Sequence, residues 1–282
     1  RDLHSFPTRR SSDLSVIAVG MGDARRVESY FVSLESTDDG KPKLKIQPGQ
    51  KGQEALLKTE LTHLFLDPEG KYYVAGSTDN DTNLKVVSVS GEVLNTYNTS
   101  QLKNYQIARS NNGRFLGIAA WTSDGTIIEL VNDKTGAFKS ISKAMVLKGH
   151  RQGLLDIAFN NYDDKVVTIS KDHTMRIWNI NVKYEMSEDP KCLEVIDIQA
   201  SEELKNLNIG KIALYTTEDK NDLIAIAHGN NLAIYNVKQK KITHNIANAH
   251  SEGSKITKLI FKMIKGEGYL YSCGSDSRIN MW

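Results

Sequence analysis

The chain has 282 residues, 39% of them hydrophobic and 25% charged, with a net charge of +2. This is an ordinary globular composition, and the near-neutral balance excludes a strong electrostatic pull toward nucleic acid or an anionic membrane. The two cysteines, Cys192 and Cys273, lie far apart without CxxC spacing, which argues against a disulfide framework or a zinc site, and no apolar run approaches the roughly 20 residues of a membrane span.

Residues 1–14, RDLHSFPTRRSSDL, have no hydrophobic period and no apolar core of the kind a secretory signal requires. Back-translated, the string matches a common short-read sequencing adapter. It is expected to be an assembly artefact fused to a partial gene, and fold reasoning starts at Ser15.

From there the chain reads as short strands. SVIAVG, SYFVSLES and PKLKIQ predict a partial unit over 15–52. EALLK at 54–58 is at most one helical turn. Residues 53–100 contain LTHLFLDPEG, KYYVAGSTDND, NLKVVSV and EVLNTYN, and 101–147 contain YQIARSNNG, RFLGIAAWTSD, GTIIELV and FKSISKAMVL. A third full unit spans 148–203, and a fourth, 204–247, contains KIALYTTEDKN, LIAIAHGN, NLAIYNV and KITHNIA. The last, 248–282, stops at its third run. Each run is short, rich in Val, Ile and Tyr, and bounded by Gly, Asn or Asp, which is the pattern of a strand.

Two units superimpose closely. VVTISKDHTMRIWN (166–179) and YLYSCGSDSRINMW (269–282) each place Asp six residues before Trp and a hydroxyl four residues before that Asp. Upstream stand His150 in LKGH and His250 in NAH, each followed by an apolar run. Four strands per unit of roughly 40–50 residues resemble the WD40 repeat of β-propellers. Gly149-His150, Asp172 and Trp178-Asn179 carry the resemblance, with Asn179 where the family usually has Asp and Ala249 where it usually has Gly. The other units are degenerate: Val87, Leu130 and Tyr235 occupy the Trp position.

The resemblance implies an all-β fold, a WD40 β-propeller that is seven-bladed when intact and here truncated to about five to six blades of four-stranded antiparallel sheets. Without the strands that close such a ring, an open or strained assembly and an aggregation-prone chain are expected. It also implies a structural role for two tetrads, His150–Thr168–Asp172–Trp178 and His250–Ser272–Asp276–Trp282. In such blades Asp accepts from His, His is linked to the hydroxyl, and the hydroxyl accepts from the indole. A His–Thr–Asp catalytic triad is the competing reading. Tryptophan offers only a donor, so it ends a structural chain rather than activating a nucleophile.

Other chemistry is thin. No GxSxG, Walker A or HExxH motif occurs. Asp163-Asp164 and Asp38-Asp39 lie in polar turn segments, KQKK at 238–241 is too small for a nucleic-acid footprint, and the sequons at Asn80 and Asn98 would go unused in a cytosolic protein. Trp121 lies off the repeat position and is expected to pack locally. No catalytic residue, metal or cofactor is expected.

The segments SGEVLNTYNTSQLKN, NNGRFLG and LKGHRQGLLDIAFNNYDDKVVTISKDHTMRIWNINVKYEMSEDP are similar to the transducin beta-like branch of the WD40 family. That resemblance implies a propeller on the cytosolic face of the endoplasmic reticulum, tethered by an N-terminal membrane segment. It also implies a link to the unfolded protein response and to the stress kinase PERK as partner. The expected function is a non-catalytic scaffold without direct nucleic-acid contact. Alternatives are a substrate receptor of a ubiquitin ligase, a trafficking scaffold, or, with least support, an enzyme with carboxylates or a metal at the channel. Turn residues beside the tetrads are the candidate partner contacts: Arg151, Gln152, Lys171 and His173 in one unit, Ser251, Glu252, Ser275 and Ser277 in the other.

Overall fold

The computed structural model describes residues 14–21, 26–36, 42–51, 56–79 and 82–282. Residues 1–13 of the opening string, the Asp38-Asp39 pair, the Asn80 sequon and the first two residues of EALLK lie outside the described residues.

Among the described residues, six antiparallel sheets follow one another along the chain. Strands β1 (Leu14–Met21), β2 (Arg26–Ser36) and β3 (Pro42–Lys51) form the first. Strands β4 (His63–Leu66), β5 (Tyr72–Gly76), β6 (Leu84–Ser88) and β7 (Val93–Tyr97) form the second. The third contains β8 (Asn104–Arg109), β9 (Phe115–Ala120), β10 (Gly125–Asn132) and β11 (Phe138–Leu147). The fourth contains β12 (Leu154–Phe159), β13 (Lys165–Ser170), β14 (Thr174–Asn179) and β15 (Lys191–Asp197). The fifth contains β16 (Ile209–Thr216), β17 (Asp222–His228), β18 (Asn231–Asn236) and β19 (Lys241–Ile246), and the sixth β20 (Ile256–Ile264), β21 (Glu267–Gly274) and β22 (Ile279–Met281). Within each sheet, consecutive strands are neighbours. The fold is all-β, built of β-propeller blades.

Burial grades across each blade. The second strands β5 and β9 are buried at every residue, and β13 at all but its first. A strand covered on both faces reads as a continuous apolar run rather than an alternating one. The fourth strands β7, β15 and β19 are mostly exposed. The helical content among the described strands and loops of the 179–191 extension is one short 3-10 turn, Tyr184–Met186. Tyr184 anchors it: its hydroxyl accepts from Arg114 Nη2 at 2.6 Å and its ring meets Phe115 edge-on.

The chain divides into two compact units: residues 1–104 with 129–142, and residues 105–128 with 143–282. The boundary runs through the third blade. In the first unit, Val27, Leu56, Tyr73, Ala75 and Val87 form the core, and the Tyr72 hydroxyl donates to Asn132 Oδ1 at 2.9 Å.

The second unit holds the two tetrads. Its core follows the period-2 alternation of strand side chains. Val166 of β13 packs with Leu147, Leu154, Ile157 and Trp178. Its neighbour Val167 points the other way and packs with Leu214, Ile224 and Tyr235 of the following blade. Gly117 on β9 allows a close approach, because a Cβ there would lie 2.9 Å from Ile157 Cδ1.

Leu154 is fully buried between Leu147 and the β9–β10 turn. Leu154→Ala is expected to cost about 2–5 kcal/mol, read as a lower denaturation midpoint at unchanged m-value in chemical unfolding.

Candidate functional site

Each tetrad is assembled by a strand hairpin and the turn that enters its blade. Thr168 sits on β13, Asp172 in the tight β13–β14 turn and Trp178 on β14, while His150 lies on the turn before β12. The structure brings the four together. His150 Nδ1 is 3.0 Å from Asp172 Oδ2, His150 Nε2 is 2.8 Å from Thr168 Oγ1, and Trp178 Nε1 donates to Thr168 Oγ1 at 2.9 Å. Asp172 can only accept when ionised and the indole can only donate. The chain therefore has one direction: His150 donates from Nδ1 to Asp172, and Thr168 donates to Nε2 while accepting from Trp178.

Asp172 is also the hub of the turn. It accepts the Arg151 N–H at 2.9 Å, the Thr174 N–H at 3.0 Å and the Thr174 hydroxyl at 2.7 Å. Burial works against its charge, but these donors and His150 together outweigh it and hold the carboxyl well below the usual range. Burial pushes the His150 imidazolium down, against the pull of Asp172, so the ring is neutral.

The second set repeats the design with fewer donors. His250 Nδ1 is 2.9 Å from Asp276 Oδ1, His250 Nε2 is 2.9 Å from Ser272 Oγ, and Trp282 Nε1 donates to Ser272 Oγ at 3.0 Å. Asp276 takes the Ser251 N–H at 2.9 Å, and that bond leads in holding its carboxyl low. Arg278 stands where Thr174 stands in the first set and offers its backbone N–H instead. Trp178 is 1% exposed, whereas Trp282 is 40% exposed.

The turns show why certain residues are tolerated. Gly149 has φ +151, and a Cβ there would lie 2.6 Å from Arg176 Nη1. In the last blade Asn280 replaces Arg176, and Ala249 is accommodated, with Asn280 Nδ2 donating to its carbonyl. His173 and Ser277, each following a tetrad Asp, adopt left-handed φ of 61° and 62°.

In both sets the hydroxyl a triad would activate is buried, and its oxygen already serves the indole. The arrangement ties a turn to two strands about twenty residues away.

Residues 141–179, which span the first tetrad, match the family model of the WD domain, G-beta repeat. The chain carries a WD40 repeat. This WD40 chain is 31% identical over 205 residues to transducin beta-like protein 2 of Homo sapiens, covering 73% of the chain and 43% of that protein. It is 28% identical over 217 residues to the Mus musculus protein of the same name, covering 77% and 46%. The chain thus spans less than half the length of these relatives. A chain of the crystal structure of the mitotic checkpoint complex superposes with a TM-score of 0.57 at 15% identity, covering 96% of this chain and 74% of that one. At that identity the likeness shows the fold alone.

The eight turn residues beside the tetrads of this WD40 chain, Arg151, Gln152, Lys171, His173, Ser251, Glu252, Ser275 and Ser277, are all exposed. Trp121 differs from expectation: it contacts Tyr105 but remains 54% exposed. A second feature escaped the motif search. Gln106, Asp156, Lys211 and Lys258 occupy one register position on β8, β12, β16 and β20. Asp156 is buried and accepts the N–H groups of Ile157 and Ile212, each at 2.9 Å, while Lys211 Nζ donates to Gln106 Oε1 at 3.1 Å. Burial pushes the Asp156 carboxyl up against the pull of Lys211 and Lys258, and pushes the Lys258 ammonium down. The signal was legible as a polar residue before an apolar pair: Gln-Ile-Ala, Asp-Ile-Ala, Lys-Ile-Ala and Lys-Leu-Ile. A lone carboxylate spent on two backbone amides ties neighbouring first strands together. Among the described residues no His, Cys, Asp and Glu group is arranged to hold a metal.

His150→Ala leaves Thr168 and Asp172 each short of a buried partner, and is expected to cost about 1–3 kcal/mol. His250→Ala is expected to cost less, because water reaches the partly exposed Trp282; paired thermal melts check the order.

The pH dependence follows from the same network. A neutral folded His150 means that below about pH 6.5 the unfolded chain gains a proton the folded chain does not, so stability falls as pH drops. Asp172 and Asp276 add stability that is complete above about pH 4 and is lost as pH falls further. Melting temperature is expected to decline from pH 8 to pH 5, and His150→Ala to flatten part of that slope. Equal slopes in both proteins would contradict the neutral ring.

Proposed function

We propose that this WD40 chain is a non-catalytic scaffold that binds protein partners through the exposed turns beside its tetrads. The observation that carries this reading is the closed hydrogen-bond chain of the first tetrad. Every polar side-chain atom of His150, Thr168, Asp172 and Trp178 is engaged within the protein, so the constellation fixes a turn and presents Arg151 and Lys171 outward. Propeller blades hold such turns on a rigid support, which limits the entropy lost on binding.

The relation to transducin beta-like protein 2 supports a narrower proposal. The chain belongs to a protein held at the cytosolic face of the endoplasmic reticulum, where it binds the stress kinase PERK and takes part in the unfolded protein response. Affinity purification of the tagged full chain from cells under endoplasmic reticulum stress tests it. Enrichment of PERK over a tag-only control, lost on combined substitution of Arg151, Gln152 and Lys171 by alanine, is the expected result. Recovery of ubiquitin-ligase or coat subunits without PERK would replace the narrower reading. Turnover of a substrate class that disappears in Asp156→Asn would overturn the scaffold itself.

A further inference from the structure

The exposed turn of the first tetrad borders a cleft of about 340 Å³ whose lining includes Trp121, Arg151, Gln152, Gly153 and Lys171. Its chemistry is not that of an ordinary solvated turn. Lys171 Nζ lies 4.7 Å from the Trp121 ring centre and 5.0 Å from that of Tyr105, and it makes a long 3.4 Å hydrogen bond to the Tyr105 hydroxyl. The two rings are 6.2 Å apart. Cation–π contact with two aromatics holds the ammonium in place, while an ammonium has three donors and Tyr105 uses one. Neither Lys171 nor the guanidinium of Arg151 has an acidic partner among the described residues.

The cleft is also built rigidly. The Arg151 N–H is bound to Asp172, and the Gly153 carbonyl accepts from both the Lys171 N–H and the Ser170 hydroxyl. A Cβ at Gly153 would lie 2.5 Å from the Trp121 carbonyl oxygen. Glycine is therefore what lets this turn close onto the end of β9 and bring Trp121 beside Lys171. The corresponding positions of the second tetrad carry Ser251, Glu252 and Ser275, with neither a cation nor a ring. The combination belongs to one turn and not to the repeat.

We propose that this cleft is a docking site for an acidic peptide segment: a carboxylate side chain bridges Arg151 and Lys171, and a neighbouring bulky apolar residue covers the exposed indole of Trp121. Two unpaired cations select an anion, the arginine fork adds paired hydrogen bonds to a carboxylate, and an exposed tryptophan is the residue type that anchors interfaces. Two cations at one cleft fall short of the basic stripe that tracks a nucleic-acid backbone, which favours peptide. The proposal rests on the scaffold reading and names the partner chemistry of that same turn.

Fluorescence anisotropy on the full chain tests it. The probe is a fluorescein-labelled peptide with one phenylalanine flanked on each side by two glutamates; the comparison peptide has glutamines in their place. Saturable binding is expected, at least tenfold tighter than to the glutamine peptide. Lys171→Ala, Arg151→Ala and Trp121→Ala should each weaken it about tenfold at unchanged melting temperature, and Lys238→Ala, which removes an exposed cation in the β18–β19 turn, should leave it unchanged. Equal binding of both peptides, insensitivity to all three variants, or tighter binding of a labelled oligothymidylate than of the acidic peptide would overturn the proposal. If cellular partners are still captured through the combined turn variant while the acidic peptide fails to bind, this inference falls and the scaffold reading stands.

Discussion

A single buried hydrogen-bond chain organises the best-formed part of this protein. His150 joins a turn to the β13–β14 hairpin by donating to Asp172 and accepting from Thr168, and Trp178 closes the chain from the far side. A buried polar group costs free energy unless paired, so loss of any one of the four leaves a buried partner short. That mutual dependence turns a loop, ordinarily the most variable part of a chain, into a fixed support. The sheet-to-sheet packing of Val166 and Val167 on opposite faces then sets where that support sits relative to the neighbouring blades.

The same constraint explains how chemistry is distributed. Polar atoms that could have formed a reactive centre are spent on architecture: the hydroxyl on an indole, the carboxylate on backbone amides, the imidazole on both. Asp156 is used likewise, bridging the first strands of two blades through the Ile157 and Ile212 amides. The groups left over are at the rim. Arg151 and Lys171 are held in place through their backbones by the network beneath them, both residues are exposed, and the Lys171 ammonium rests on aromatic rings without a carboxylate partner among the described residues. Order below and unspent charge above is the arrangement a recognition surface needs, since a preorganised side chain loses less entropy when it meets a partner.

The two tetrads also show how a repeat varies without losing its logic. Thr174 supplies two bonds to Asp172, whereas Arg278 gives Asp276 one. Gly149 holds a φ of +151° that side-chain-bearing residues rarely adopt, whereas Ala249 is not among the positive-φ residues and its carbonyl accepts from Asn280 Nδ2. The degenerate blades lack the indole and fill its position by packing: Val87, Leu130 and Tyr235 are buried side chains.

What the sequence determined by itself was everything set by short-range spacing. Strand identity was legible because buried second strands such as FLGIAA read as apolar runs between turn residues, and the tetrads were legible because a hairpin places Thr168, Asp172 and Trp178 at fixed offsets. Tertiary structure alone decided what residues from different blades do together. Lys171 meets Tyr105 across 66 positions, Asp156 meets Ile212 across 56, and Trp121 becomes a surface ring because Gly153 lets a distant turn close against its carbonyl. No local period encodes those meetings. They arise from how consecutive sheets stack, and stacking is fixed by the summed burial of many side chains rather than by any motif.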